Sequence, residues 1–160
     1  MEVNTEVRQA LFQSVSQLSD EEINKVVEGG KWTIAQVLEH LYLMETVVTK
    51  TIVAELENEQ SQPASTKPIH RVPDRSFKVE APSYVVPSNQ FIGLQESLEK
   101  LEKSREALEN IVGDVEEAVL EQKSYRHPVL GSLNLKQWVS FVGLHEKRHL
   151  YQIEEIKEQL

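Results

Sequence analysis

Residues 134–156 read NLKQWVSFVGLHEKRHLYQIEEI, and the phasing of this stretch decides the fold. Trp138, Val142, His145, His149, Ile153 and Ile156 recur at steps of three or four. Such steps place side chains on one face of a helix of 3.6 residues per turn. Asn134 followed by Gln137 marks the start of that helix, which is expected to run to the end of the chain. An apolar stripe of this width has to be covered by other helices. Two of the residues on it are histidines.

The preceding chain repeats the pattern. Val3, Val7, Leu11, Val15 and Leu18, with Ala10 beside them, predict a helix over residues 3–18. Ser19 with Glu22 forms a capping box before a short turn to Val27, stopped by Gly29-Gly30. Thr33 with Gln36 opens a second long helix to about Asn58. Its inner face carries Ile34, Val37, Leu38, Leu41, Met44, Val48 and Ile52, and His40 shares that face. Glu39 and Glu45 are read as lying off it. Ser88 or Asn89 is expected to cap a third long helix, with Phe91, Leu94, Leu98, Leu101, Leu108 and Ile111 inward and Gly113 as punctuation. Asp114 with Glu117 suggests a short capped helix to about Gln122, and residues 127–132 read as a turn-rich link.

Between the second and third long helices, Pro63, Pro68, Pro73, Pro82 and Pro87 break the helical pattern. Ile69, Val72, Phe77, Tyr84, Val85 and Val86 are able to pack, so residues 60–88 read as an ordered crossover loop. Four long amphipathic helices predict an all-α four-helix bundle, one domain over residues 1–160. Short links favour antiparallel neighbours, while the long link lets the third helix run parallel to the second. The expected order is up-down-down-up.

Composition narrows the function. A chain of 160 residues buries roughly 70% of its unfolded surface and folds without disulfides. It contains no cysteine, which removes thiolate metal sites, iron–sulfur clusters and cysteine nucleophiles. Any reactive thiol must come from a cosubstrate. Seventeen Lys and Arg against 26 Asp and Glu give a net charge of −9, with no dense basic cluster, so no nucleic-acid partner is expected. No membrane association is expected either, since no apolar run approaches the ~20 residues of a span and residues 1–6 do not resemble a signal peptide. A cytoplasmic location is the corresponding expectation.

His145 and His149 lie one above the other, and with Glu146 they spell the H-E-x-x-H of zinc proteases. Such proteases take a third ligand from well downstream, yet only eleven residues follow His149. The third ligand must come from upstream, where His40 is the best-placed candidate. A lone histidine on an apolar face is more often a hydrogen-bonded core residue. Three on the inner faces of two helices form a metal-site constellation with positions left open for substrate. Glu146 reads as a charged residue on a helix flank, with a base role as the alternative. No residue is assigned as catalytic. His70, beside Arg71, Asp74 and Arg75, reads as an exposed loop residue, with lining the mouth of the site and helping to bind an anionic substrate as the alternative. His127 reads as structuring the start of the last helix, and Arg148 as contacting a carboxylate or, equally, pairing with an acidic neighbour on the surface.

Trp32-Thr33-Ile34-Ala35-Gln36-Val37-Leu38-Glu39-His40-Leu41 resembles the start of the second helix in the DinB-like, or YfiT-like, metalloenzyme family. His127-Pro128-x-Leu130-Gly131-x-Leu133 with Gln137-Trp138, then His145-x-x-Arg148-His149-x-x-Gln152-Ile153, resembles its C-terminal signature. Ala81-Pro82 and Pro87-Ser88 resemble the segment before its third helix. The resemblance spans nearly the whole chain. It implies the up-down-down-up bundle and a divalent metal ion held by His40, His145 and His149, with zinc or nickel ahead of manganese or iron. It further implies a bacillithiol-type S-transferase, or a related hydrolase, acting on a small-molecule thiol and an electrophilic substrate, and a homodimer. A non-catalytic metal-binding or ligand-sensing dimeric bundle is the alternative.

Overall fold

The computed structural model describes residues 1–160. Four long helices form the body: α1 (Glu2–Val15), α3 (Ile34–Glu57), α4 (Leu94–Val112) and α6 (Leu135–Lys157). Two short helices, α2 (Asp20–Ile23) and α5 (Glu117–Glu121), and a hairpin of β1 (Ser124–His127) and β2 (Gly131–Asn134) fill the links. No helix is long and apolar enough to cross a membrane.

The bonds between helices give their directions. Asn4 Nδ2 donates to Val139 O, Arg8 binds Glu146, and Lys157 Nζ donates to Ser14 O, so α1 and α6 run parallel. Leu101 packs beside Leu38 and Leu41, and Leu108 and Val112 beside Val48 and Ile52, so α3 and α4 are parallel too. Trp32 lies near His149 and His40 meets His145, while Val48 and Ile52 share a cluster with Trp138, which makes α3 antiparallel to α6. The bundle is up-down-down-up.

The helix starts show which local signals mattered. Thr33 with Gln36 and Ser19 with Glu22 both close reciprocal capping boxes. Asn134 accepts from Gln137 N at 2.8 Å, starting α6 as its sequence predicts. The start of α4 differs from expectation. Neither Ser88 nor Asn89 caps it; the helix begins at Leu94, whose N–H donates to Asp20 Oδ1 on α2 at 2.8 Å. Phe91 lies before the helix and is 65% exposed. At the other end of the chain, Val3 is 52% exposed, and the buried stripe of α1 is Asn4, Val7, Arg8, Leu11 and Val15. Residues 127–132 are the tip of an antiparallel hairpin rather than a plain turn. Gly131 takes φ +79°, and His127 Nδ1 accepts from Val129 N and Leu130 N at 3.0 and 3.1 Å.

The core falls into two apolar clusters. One joins Leu11, Val15, Ile34, Leu38, Leu101 and Ile153; the other joins Val48, Ile52, Leu108, Leu133, Trp138 and Phe141. Polar side chains from all four long helices lie between them. Arg8 Nε and Nη2 each donate to Glu146 at 2.8 Å, and Arg8 Nη2 also donates to Glu45 at 2.8 Å. Arg105 donates to Glu45 at 2.6 Å and to Glu146 at 3.1 Å. Ser104 Oγ donates to Glu45 at 2.6 Å, and Arg8 Nη1 and Arg105 Nη1 donate to Leu101 O and Asn4 O respectively. Glu45 and Glu146 are each 1% exposed, so neither lies off the inner face as its charge suggested. The two guanidinium groups offset the two carboxylates, and every carboxylate oxygen accepts at least one hydrogen bond, the condition for burying such charges.

Residues 58–93 cross the bundle as an ordered loop. Gln137 accepts from Lys67 N and donates to Lys67 O at 3.2 and 2.9 Å. Arg75 pairs with Glu155 through two bonds of 3.0 Å. Arg148 does not pair with a carboxylate. It donates to the carbonyls of Val72, Asp74 and Phe77 and pins the loop beside the histidines.

Candidate metal centre

His40 stands two turns into α3, and His145 and His149 stand one turn apart on α6. The antiparallel crossing of these helices brings the three rings together. His40 Nε2 lies 3.3 Å and His149 Nε2 3.1 Å from His145 Nε2. One nitrogen from each ring lies within 4.8 Å of the others, and all three residues are buried. Trp32 packs on His40 with ring centroids 4.9 Å apart, and Phe141 stacks on His145 at 5.4 Å.

The outer nitrogens define what the inner ones can do. His40 Nδ1 lies 2.8 Å from Val85 O, an acceptor only, so its hydrogen sits on Nδ1. His149 Nδ1 likewise faces Gln152 Oε1 at 2.7 Å. Each ring therefore turns a bare lone pair at Nε2 towards the centre. Three nitrogens meet with at most one hydrogen among them, contributed by His145, which satisfies one contact and leaves the other lone pairs facing each other. A cation at that point resolves the conflict, and outer hydrogen bonds of this kind orient the imidazoles of metal sites. The donor set fits a divalent transition metal.

Electrostatics agree with neutral rings. Burial pushes the His40 imidazole below its ordinary range. Burial, then the His149 and His40 rings, holds His145 well below it, and burial with His40 brings His149 down to about 3. All three offer lone pairs rather than charge at neutral pH.

The three rings lie in the wall of a cleft of about 1230 Å³ between α3, α6, the hairpin and the crossover loop. Met44, Val48, Trp138 and Phe141 line it on the hairpin side; Trp32, Gln152 and Ile156 line it on the other. His127 lines the cleft but is held by the hairpin turn, whereas His70 is exposed and lies outside it. Glu146 points about 100° round α6 from His145 and spends its oxygens on Arg8 and Arg105, so it is no base for this centre. Val85 and Gln152 were not singled out in the sequence as partners of the histidines. Gln152, three residues after His149, carried a readable signal; Val85, reached only through the crossover loop, carried none.

Such a helical bundle with three inward histidines defines a class, and the chain falls within it. Residues 4–153 match the DinB superfamily, and the protein belongs to that family. It is 32% identical over 160 residues to YuaE of Bacillus subtilis (strain 168), an uncharacterized protein, covering 100% of this chain and 98% of YuaE. In fold it is similar to YfiT from Bacillus subtilis, described as "a probable metal-dependent hydrolase with an unusual four-helix bundle topology". The TM-score is 0.67 at 17% identity, over 98% of this chain and 83% of YfiT. TT2238, described as a four-helix bundle protein, aligns with a TM-score of 0.63 at 19% identity over 96% and 94% of the two chains.

Proposed function

We propose that the protein is a divalent-metal-dependent enzyme acting on a small molecule, with His40, His145 and His149 as the metal ligands. Transfer of a low-molecular-weight thiol to an electrophile is the first reaction assigned to it, and hydrolysis is the related second. The observation that carries the reading is the meeting of three Nε2 atoms with too few hydrogens to satisfy them. A metal ion at this centre would supply Lewis acidity, lowering the pKa of a thiol or a water. The chain supplies the rest. Val85 O and Gln152 Oε1 fix two of the rings. Trp32 and Phe141 pack against the His40 and His145 rings. The absence of cysteine leaves the reactive sulfur to a cosubstrate, which favours the S-transferase; the description of YfiT favours the hydrolase.

Elemental analysis of the purified protein is expected to find about one metal ion per chain, zinc first and nickel next, and His145→Ala to lose it. A panel of thiols with chlorinated aromatic and epoxide electrophiles, run beside ester and amide substrates, separates the two reactions. Absence of tightly held metal sinks the proposal. Bound metal without turnover on either arm leaves a metal-binding, non-catalytic bundle in its place.

A further inference from the structure

The cleft reverses the charge of the molecule. Acids outnumber bases 26 to 17 in the chain, yet the cleft is lined by Lys31, Arg71, Arg75, Lys78, Arg126 and Arg148 against Asp74, Glu80 and Glu155. Some of these cations are committed. Arg75 is paired with Glu155, and Arg148 is spent on three loop carbonyls. Arg71 and Lys78 are different. Both are exposed, line the cleft and enter no ion pair, as is also true of Lys31 and Arg126, but of these four Arg71 and Lys78 alone sit on the crossover loop. They bracket the Val72–Phe77 segment that Arg148 pins beside His149. Asp74, three residues from Arg71, accepts from Ser76 N at 2.9 Å and keeps a negative charge that offsets part of the charge of Arg71 and Arg148. Cations held at the mouth of a low-dielectric cleft focus their field into it.

We infer that Arg71 and Lys78 form an anion-recognition edge of the metal cleft, and that the small molecule bound there carries a carboxylate or equivalent anionic group. This assignment rests on the enzyme reading above for calling that molecule a substrate. It rests on the charge reversal and the pinned loop for its chemistry. The excess of cations in the lining disfavours a cationic substrate and favours an anionic one over a neutral one.

The test compares 3-mercaptopropionate with 3-mercaptopropionamide, which share a thiol and differ in charge. Binding is followed by the fluorescence of Trp32 and Trp138, both in the cleft wall. The titration is run on metal-loaded protein and on protein stripped with a chelator, since a metal ion alone would attract a carboxylate. The acid is expected to bind about tenfold more tightly than the amide in both forms, the scale of one or two charge-assisted hydrogen bonds. That preference should disappear in the Arg71→Gln/Lys78→Gln double variant and persist in Lys103→Gln, which lies outside the cleft. Equal binding of acid and amide to the stripped wild type overturns the inference, even where metal binding succeeds. A preserved preference in a chain that takes up no metal overturns the enzyme reading and leaves the anion site standing. Capture on phosphatidylglycerol vesicles with no response to the small acid overturns the inference in favour of a surface-docking patch.

Discussion

Glu146 is next to His145 in sequence and turns away from it in space. Its carboxylate is held by Arg8 and Arg105 in a buried network, and removing one member leaves two guanidinium groups short of a partner. Glu146→Ala is therefore expected to cost about 3–5 kcal/mol of stability, the scale for breaking a buried ion pair. Urea denaturation measures it, and an unshifted midpoint would contradict the assignment. The histidines make the opposite electrostatic statement. Their folded pKa values lie below the ordinary 6.5, so the unfolded chain binds protons that the folded chain does not. Stability of the stripped protein is thus complete above about 6.5 and lost as pH falls through that value towards about 3. A lower urea midpoint at pH 5.5 than at pH 7.5 is expected, with a smaller difference in His149→Gln. Most carboxylates titrate below this window, so the change reports mainly on imidazoles.

At the scale of elements, α1 and α6 approach closely at Gly143. A β-carbon at Gly143 would collide with Asn4 Oδ1 and crowd the bond from Asn4 to Val139 O. Gly143→Ala should force the helices apart and lower stability by about 1–3 kcal/mol despite alanine's better helix propensity, as overpacking does. A raised thermal midpoint would show the contact to be slack. The elements differ in how readable they were. The long helices announced themselves because their apolar stripes recur over several turns and the starts of α3 and α6 carry side-chain caps. The start of α4 did not, because its acceptor, Asp20, belongs to another helix. The hairpin was hidden because four-residue strands give too little alternation to stand against Pro128 and Gly131. The buried charges were legible in part: Glu45 and Glu146 were read as lying off the inner faces, and Arg8 and Arg105 were not read at all. Arg8 precedes Leu11 and Val15 by three and seven residues, as Glu45 precedes Val48 and Ile52, Arg105 precedes Leu108 and Val112, and Glu146 precedes His149 and Ile153. All four occupy the inward phase of their helices and are buried there. The three histidines were found because their residue type did not contradict their phase.

At the scale of the whole molecule, a polar belt crosses the bundle between two apolar clusters, and it holds both the ion network and the three histidines. Replacing the four charged residues together, with Arg8→Met, Glu45→Leu, Arg105→Met and Glu146→Leu, removes desolvation penalties along with the pairs. Such replacements range from neutral to about 1–4 kcal/mol stabilising. The variant is expected to keep its urea midpoint or raise it while binding zinc more weakly; competition with a chromogenic chelator measures the affinity. Affinity equal to that of the wild type would show that the network does nothing for the metal centre. The reason to expect a loss is a matter of alignment. In a uniformly aliphatic bundle, a helix that slides by one turn, about 5.4 Å, finds contacts nearly as good as those it left. In this chain the same slide strands a guanidinium among leucines and carries His40 away from the pair on α6. The cost of those four charges thus falls on every wrong alignment more heavily than on the right one, and the right one is where three imidazoles meet.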